Sequence, residues 1–514
     1  MLAGGCVLLT SAACAQTWHF IPGARLEETL TDNVNLAPSD RAKADLVTEI
    51  TPELAVVEKG ARTSLEGSVR VPLLIYARTG ATNNKAYPEA DLTGTVEAIE
   101  RFLYVDGGAS VRQTFFSPFG AQPSGISNAT ANRFRADTYR VSPYIKSFAG
   151  RDITYELRDD NIWTHLSGAP TSSHDSYTNH VTGNLTRHPE PVGWSAEIDR
   201  NSDKFQGQPQ ALVTQLVRAK LLVQANPDLR LNASGGYEDN HYTFIQPHGA
   251  IYGGGVEWRP SPRTKLKGQW EHRFFGSSYD FSFDNRTPLT TWDLRAARNI
   301  TSYPQQLASL PASGDVAATL DQLFLSRIPD PAERQVAVNN IIASAGLPAS
   351  LSSPLTIYTE QIYLQETASA TAGILGARNN LIGTVYRTRT EPIEGTGTPL
   401  PPELLAQTNN TQKGVNLVWS HTLDRMVNFT VNGSLRKTVA NAPFEGSSTE
   451  RSIIAGLISR LSPSLTAFAG MRYQTLHSDL VTSYNELAVF AGVNYRCCGR
   501  SSQAAAGAPS FSGY

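Results

Sequence analysis

The chain has 514 residues, of which 40% are apolar, 18% are charged and 9% are aromatic, and its formal net charge is −2. The near-neutral charge and the lack of long runs of like charge argue against nucleic-acid binding. No stretch reaches the roughly 18 consecutive apolar residues that a membrane-spanning helix requires. A β-barrel membrane protein remains compatible with these values, because its strands are only half apolar and their hydropathy averages out.

Residues 1–15 predict a cleaved export signal. An apolar run ends at Leu9, and Ala13-Cys14-Ala15 has the small-x-small form of a signal-peptidase site. The basic segment that normally precedes such a run is missing, which suggests a start codon upstream. The alternative is a lipid attached to Cys14, although the residue three positions before it is not the usual leucine. Either interpretation places the protein outside the cytoplasm.

The cysteines predict neither a metal site nor a cofactor. Four are present, but none lies between Cys14 and Cys497, which suits an exported chain that avoids accidental disulfides. The adjacent pair Cys497-Cys498 lacks the CxxC spacing and the histidines of a zinc site. The Ser/Ala/Gly-rich segment 497–514 is predicted to be a disordered tail.

The stretch from Ala211 to Asn299 shows the clearest strand pattern. From Leu229 to Glu238, apolar and polar residues alternate over ten positions, which is typical of a strand with one apolar and one polar face. A tight turn at 226–228 precedes this strand, and a longer polar stretch at 238–248 follows it. The same order of strand, short turn, strand and long loop recurs along most of the chain.

This pattern predicts an all-β fold, namely a transmembrane, antiparallel, up-and-down β-barrel of about 22 strands, within a range of about 18–24. Residues 16–496 are assigned to the barrel, with no plug domain before the first strand. An even number of strands places both termini on the periplasmic side. The short turns are then periplasmic and the long loops extracellular.

Residues 300–356 interrupt the strand pattern and predict a short two-helix insertion on an extracellular loop. Residues 315–328 and 330–345 have helical spacing. In the second helix Asp330 is suited to the N-cap, Pro331 to the first helical position and Gly346 to the position past the end.

Three features favour a membrane barrel over a soluble sandwich or propeller. The turns alternate between short and long, and no fixed repeat of about 40–50 residues indicates propeller blades. Aromatic residues also lie beside several short turns, where they predict an interfacial girdle; ordinary core aromatics are the alternative. The girdle residues are Trp194, Trp258, Trp419 and Tyr495.

Strand parity places charged residues of both signs on the inner face of the barrel. Such residues either hydrate any lumen or line a path for a polar polymer, and the sequence leaves both interpretations open. The nine predicted lumen-lining residues are Arg230, Glu238, Glu257, Lys265, Lys267, Glu271, Arg273, Arg436 and Arg472.

No catalytic motif supports an enzyme. The HExxH, GxSxG and phosphate-binding GxxxxGK[ST] patterns are missing. His272 lies on the apolar face beside Trp270 and Phe274, which indicates an interfacial side chain rather than a metal ligand. We therefore predict a protein that is not an enzyme; a barrel enzyme that acts on polysaccharide or lipid through rim carboxylates is the alternative.

Several segments resemble the family of outer-membrane proteins associated with the PEP-CTERM system. The segments that carry the resemblance are 28–36 (ETLTDNVNL), 253–264 (GGGVEWRPSPRT) and 272–276 (HRFFG), with Asp330-Pro331 and Arg378-Asn379. These are turn and girdle motifs, and the resemblance covers nearly the whole chain after the signal.

The resemblance implies a location in the outer membrane of a Gram-negative cell and a role in exopolysaccharide export or assembly. The implied activity is that of a porin-like channel with a polar lumen or of a polymer-docking protein. The implied partners are outer-membrane lipids, lipopolysaccharide, exopolysaccharide and periplasmic export proteins, with no nucleic acid. A structural or adhesion barrel with a closed lumen is the alternative, and the oligomeric state stays open.

Overall fold

The computed structural model describes residues 17–168, 175–308, 320–321, 360–396 and 407–497. The strands in these ranges form one antiparallel sheet. They begin with β1 (Thr17–Thr31), β2 (Asp45–Lys59), β3 (Thr63–Arg70), β4 (Leu73–Tyr76), β5 (Lys85–Ala86), β6 (Glu89–Ile99), β7 (Leu103–Phe115), β8 (Arg133–Ala149), β9 (Ile153–Ser167), β10 (Ser176–Arg187), β11 (Val192–Phe205) and β12 (Leu212–Asn226). They continue with β13 (Leu229–Asp239), β14 (His248–Ser261), β15 (Thr264–Arg273), β16 (Gly276–Arg286), β17 (Thr290–Thr301), β18 (Tyr363–Leu375), β19 (Asn379–Pro392), β20 (Asn410–Thr422), β21 (Val427–Ala440), β22 (Ser447–Arg460), β23 (Leu465–Ser478) and β24 (Tyr484–Arg496).

The sheet closes into a barrel through its first and last strands. β1 pairs with β2 on one side and with β24 on the other, from Gly23↔Arg496 to Thr31↔Ala488. Closure leaves no sheet edge, and a hydrocarbon environment demands this because it cannot satisfy free backbone groups. The predicted transmembrane up-and-down β-barrel is therefore confirmed.

Two strands of the wall are each interrupted beside a proline, which cannot donate a backbone hydrogen bond. β3 and β4 flank Pro72 and both pair with β2. β5 and β6 flank Pro88 and pair with β4 and β3 respectively. Each couple acts as one strand of the wall, so the 24 segments less two give 22 strands, the predicted number.

The two ends of the barrel differ in their connections, and we call them the turn end and the loop end. At the turn end every connection has two to four residues, such as 227–228 between β12 and β13. The loop end carries most of the longer connections, including 116–132 and 393–409, and one tight one at Phe274-Phe275. The assignment of the turn end to the periplasm stays a prediction.

Apolar side chains cover the outer face, and aromatic residues border this band at both ends. The four predicted girdle residues lie on the outer face near the turn end, with exposed fractions of 37% for Trp194, 43% for Trp258, 36% for Trp419 and 49% for Tyr495. A second aromatic group lies on the outer face near the loop end and includes Tyr139, Trp163, Tyr237, Tyr252, Trp270 and Tyr473. His272 stacks on Tyr252 with ring centroids 5.0 Å apart.

Two aromatic belts around an apolar band are the arrangement that a bilayer with two polar interfaces imposes. Tyr473 belongs to the loop-end belt, and Tyr495 pairs with Leu465 on the same strand. The separation of eight residues corresponds to about 27 Å along the strand, or about 20 Å across the membrane at a tilt of about 40°. This height fits the apolar thickness of an outer-membrane barrel.

Two short helices occur in the described ranges, α1 (Gly80–Asn83) and α2 (Tyr303–Ala308). Neither is long or apolar enough to cross a membrane. The predicted signal peptide, most of the two predicted helices of the 300–356 insertion and the predicted tail beyond Cys497 lie outside the described residues. β17 extends to Thr301, so the interruption begins slightly later than the sequence suggested.

Candidate functional site

The lumen is the candidate site, and all nine predicted lumen-lining residues lie on the inner face. Their strand neighbours with the opposite parity, such as Leu231 and Trp258, are exposed on the outer face. The nine residues do not converge on one centre. Near the turn end, Glu257 forms ion pairs with Arg230 at 3.7 Å and Lys267 at 4.0 Å, and Lys265 extends from the same face of β15.

Nearer the loop end of the lumen, three of the predicted residues bind partners on other strands. Glu238, whose side chain is fully buried, accepts from Arg273 at 2.7 Å. Glu271 pairs at 2.5 Å with Arg218, a residue that the sequence did not single out. Arg436 and Arg472 belong to another part of the wall, where they pair with Glu450 and Glu486.

A long loop folds back into this second part of the lumen. We call residues 116–132, between β7 and β8, the inner loop. Phe119 is 1% exposed and Asn128 is 0% exposed, which is unusual for a connecting segment. Ser124 lies 2.6 Å from Ser452 between their hydroxyl oxygens, and its backbone N–H donates to Gln474 at 3.1 Å. The inner loop therefore crosses the lumen in front of β1 to β6 and rests on β21 to β24.

The centre of this contact is a buried ion pair. The side chains of Arg472 and Glu486 are 5% and 0% exposed and lie 2.8 Å apart. Asn128 of the inner loop joins both, because its amide oxygen accepts from Arg472 at 2.8 Å and its amide nitrogen donates to Glu486 at 3.2 Å. Thr31 on β1 donates to the same carboxylate at 2.8 Å. The charges are thus fully satisfied and shielded from the lumen.

On the other side of the barrel, an apolar cluster packs inside the loop end, and we call it the cap. Its central member is Tyr303 of α2, which is 0% exposed although α2 follows β17 and touches β9 and β10. The polypeptide after β17 therefore turns into the lumen rather than away from it. The buried residues of the cap are Phe134, Ala136, Leu166, Phe205, Leu212, Tyr242, Tyr303 and Ile362.

The tyrosines of the cap are held in their neutral form. Burial raises the pKa of Tyr242 to about 12, although its hydroxyl lies 3.1 Å from that of Thr214. Burial also raises the pKa of Tyr303 above its usual value. Neither phenol ionises near neutral pH, so no charge from these two groups opens the cap.

A polar cavity of about 430 Å³ lies against β10–β12 and β15–β17, beside the cap. Ile300 and Ile362 line it on the cap side. Arg218 is its central cation, since it bridges Glu271 at 2.5 Å and Glu197 at 2.6 Å. The lining includes four bases, His180, Arg218, Lys220 and Arg273, four carboxylic acids, Glu197, Asp199, Glu271 and Asp280, and Tyr279.

The cavity thus offers both signs of charge without an excess of either. Lys220 lies 3.6 Å from Glu197, and His180 lies 3.1 Å from Asp199. Amide groups of Asn201, Gln269 and Asn299 add donors and acceptors between the charges. Among the described residues, no group of three or more His, Cys, Asp and Glu side chains is arranged to hold a metal ion.

The sequence missed the residues that complete these networks. Arg218, Glu197, Glu450 and Glu486 also have inner-face parity, so parity alone was sufficient to place them on the lumen side. Their partners lie on neighbouring strands or on the inner loop, at separations such as 344 residues between Asn128 and Arg472. No periodicity in the sequence reports such distant pairs.

Comparisons with known proteins bear on the fold. No protein-family model matches the chain, and no curated protein sequence matches it. Among solved structures, the FrpB iron transporter from Neisseria meningitidis (F3-3 variant) matches with a TM-score of 0.50 and 8% identity, over 93% of this chain and 81% of that chain. A mutant of the ferric enterobactin receptor PfeA from Pseudomonas aeruginosa has a TM-score of 0.47 and 7% identity, over 92% and 80%.

At identities this low the likeness shows the fold alone. The location follows from that fold together with the physics of the surface. A closed 22-strand barrel with an apolar outer band, two aromatic belts and a polar lumen is suited to a bilayer and not to water. The chain is an outer-membrane β-barrel.

Proposed function

We propose that this barrel carries a hydroxyl-rich polymer without a large net charge, of the exopolysaccharide class, across the outer membrane. The observation that carries the proposal is the cavity around Arg218, where four bases face four acids. Saccharide hydroxyl groups both donate and accept hydrogen bonds, and paired charges present both kinds of site. A balanced wall also avoids the strong attraction for one ion sign that a single-sign pore produces.

The resemblance to outer-membrane proteins of exopolysaccharide loci supports the same substrate class. It also suggests the direction of transport and periplasmic export proteins as partners at the turn end. These assignments belong to the proposal, as does the expectation that the protein performs no catalysis.

In this proposal the inner loop and the cap form the gate. Both lie inside the lumen near the loop end. The inner loop rests on the wall mainly through side chains, and in the cap the residues of α2 pack against apolar side chains of the wall, such as Phe134 and Leu166. The inner loop is held by Ser124, Ser127 and Asn128. The cap is held by apolar packing around Tyr303. In this model of transport, the polymer passes when at least one of the two moves.

A disulfide lock tests the gate. Ser124→Cys with Ser452→Cys joins the inner loop to the wall at two hydroxyls that are 2.6 Å apart. The background carries Cys497→Ser and Cys498→Ser, so that no other cysteine of the mature chain reacts. In planar bilayers we expect low conductance in the oxidised form and recovery after reduction. The single variants serve as matched controls.

The substrate class is tested separately with the cap opened. Tyr303→Ala removes its central aromatic ring, and we expect a higher conductance and faster swelling of proteoliposomes in neutral oligosaccharides. Uronic-acid oligosaccharides of equal length should pass more slowly, because a wall with as many acids as bases offers no net positive charge to offset their own carboxylates. Equal or faster passage of the anionic series would contradict the substrate class, while the gate would still stand.

A structural or adhesion barrel with a closed lumen is the second candidate, and the apolar cap is the observation that favours it. A closed barrel predicts silent bilayers for the wild type, for the reduced lock variant and for Tyr303→Ala. It also predicts unaltered polymer secretion in a deletion strain. That joint result would replace the transport proposal.

A further inference from the structure

The outer face carries a polar group at the middle of the bilayer, where lipid alone would surround it. On β9 the outward positions run from Tyr155 and Leu157 to Asp159, Asn161 and Trp163, by the parity of the exposed Leu157 and Trp163. We call Asp159, Asn161, Tyr177 and Asn179 the polar island. Tyr177 and Asn179 lie on the neighbouring β10, where Asn179 pairs with Asn161.

The depth of the polar island follows from the two aromatic belts. Trp163 belongs to the loop-end belt, and Trp194 of the turn-end girdle pairs with Arg187 on β10, which in turn pairs with Ile153 on β9. Asp159 is therefore six residues from one border and four from the other. Its carboxylate lies near the centre of the apolar band, and Asn161 lies between the centre and the loop end.

Hydrogen bonds connect the residues of the polar island but do not use all of its capacity to form hydrogen bonds. Asn179 donates to Asp159 at 2.6 Å, and Asn161 donates to the other carboxylate oxygen at 3.1 Å. Tyr177 donates to the amide oxygen of Asn161 at 2.6 Å. The amide nitrogen of Asn179 also donates to the amide oxygen of Asn161 at 3.3 Å, but each carboxylate oxygen of Asp159 can still accept another hydrogen bond. Hydrocarbon chains offer no donor, so this face is poorly matched to lipid.

A complementary charge lies two strands away on the same face. Val181 on β10 pairs with Asp159 on one side and with Arg200 on the other. Arg200 is exposed on the outer face, and no ion pair within the described strands involves Arg200 or Asp159. The two residues are about 10 Å apart across two strand spacings. Strand tilt offsets them in height by about 6 Å, a distance that an extended arginine side chain spans.

We infer that the β9–β11 face is a contact between two copies of this chain. A two-fold axis along the membrane normal, in front of Val181, places Asp159 of each copy opposite Arg200 of the other. Such a contact is self-complementary and closes as a dimer. It pairs both charges across the interface and removes the polar island from lipid. The inference does not depend on what the lumen carries.

Cysteine cross-linking in intact outer membranes tests the position of the axis. In the background with Cys497→Ser and Cys498→Ser, Val181→Cys should form a disulfide with its own counterpart and yield a dimer of twice the chain mass. Val217→Cys is the matched control, because Val217 is 59% exposed on the same outer face two strands farther along. It should remain monomeric.

Charge exchange tests the contact itself. Asp159→Arg alone places two arginines opposite each other, and Arg200→Asp alone places two carboxylates opposite each other. We expect either change to lower the dimer-to-monomer ratio by about tenfold or more. The double exchange D159R/R200D should restore the dimer, while heat-modifiability on gels shows that each barrel is folded.

Three results would overturn the inference. One is a monomeric wild type in native membranes with no Val181→Cys cross-link. Another is a Val181→Cys adduct with a different protein, which would assign this face to a heterologous partner. The third is a double exchange that stays as monomeric as the single ones although it is folded.

Discussion

Two regions of the lumen wall use the same kind of ion pair in opposite surroundings. In the sealed sector, formed by β21–β24, the inner loop covers Arg472 and Glu486 until their side chains are 5% and 0% exposed. In the cavity sector, formed by β10–β12 and β15–β17, Arg218 and Glu197 face the cavity with 16% and 27% exposure. Both are arginine–glutamate ion pairs, but the inner loop covers only the pair in the sealed sector.

The comparison shows that the role of a charged lumen residue depends on whether another segment of the chain covers it. A fully covered pair gains little net stability by itself, but the loss of one member leaves an uncompensated buried charge. A pair that faces a water-filled cavity loses much less, because solvent screens the remaining charge. The sealed sector is therefore a structural attachment for the inner loop, and the cavity sector leaves its charged side chains accessible from the cavity.

The largest effect is expected for Arg472→Ala in the sealed sector. Glu486 would remain buried without its cation, so the free energy of unfolding should fall by about 3–5 kcal/mol. Urea unfolding in phospholipid vesicles measures this change. R472M/E486L leaves no buried charge and should lose less than Arg472→Ala alone. A loss below about 1 kcal/mol for Arg472→Ala would show that the inner loop does not seal this pair.

A smaller effect is expected for Asn128→Ala, which removes the contact between the inner loop and the pair while leaving the pair intact. Buried groups of Arg472 and Glu486 lose one hydrogen bond each, so we expect a loss of about 1–3 kcal/mol in the free energy of unfolding. Single-channel recordings should show more frequent current steps as the loop detaches. Ser124→Ala, a change at the edge of the same contact, is the control. Identical recordings for the wild type and Asn128→Ala would separate the loop from gating.

In the cavity sector, Arg218→Ala should change selectivity more than stability. Glu197 and Glu271 would lose their shared cation, so the local charge becomes more negative and cations are favoured. We expect the cation-to-anion permeability ratio, from reversal potentials in a salt gradient, to rise by a factor of about 2–5. Arg218→Lys keeps the charge and should stay near the wild type. An unchanged ratio for Arg218→Ala would place the conducting path elsewhere.

The smallest effect is expected for Arg295→Ala, whose side chain is 56% exposed in the lumen and 2.6 Å from Asp293. An exposed pair of this kind contributes about 0–1 kcal/mol to the free energy of unfolding. Urea unfolding should show a change within that range, and the effect should decrease in high salt. A loss as large as that of Arg472→Ala would mean that burial does not distinguish the two sectors.

The sequence by itself determined the features that repeat along each strand. Alternation placed Arg230, Glu238 and Arg472 on the inner face, because successive side chains of a strand point to opposite sides of the sheet. The spacing of turns yielded 22 strands, because the bilayer thickness fixes the length of a crossing. Trp258 beside a short turn was enough to predict its exposed position near the turn end.

Only the tertiary structure decided what fills and closes the lumen. The inner loop looks like any Pro- and Gly-containing surface loop in the sequence, and its burial depends on Arg472 and Glu486 hundreds of positions away. The local sequence pattern likewise gives no sign that α2 turns into the barrel and places Tyr303 in the cap. The sequence shows that Asp159 is polar. Only the strand pairing places it beside Asn179 and two strands from Arg200. Local periodicity reports which face a residue occupies, and contacts between distant segments set what that face meets.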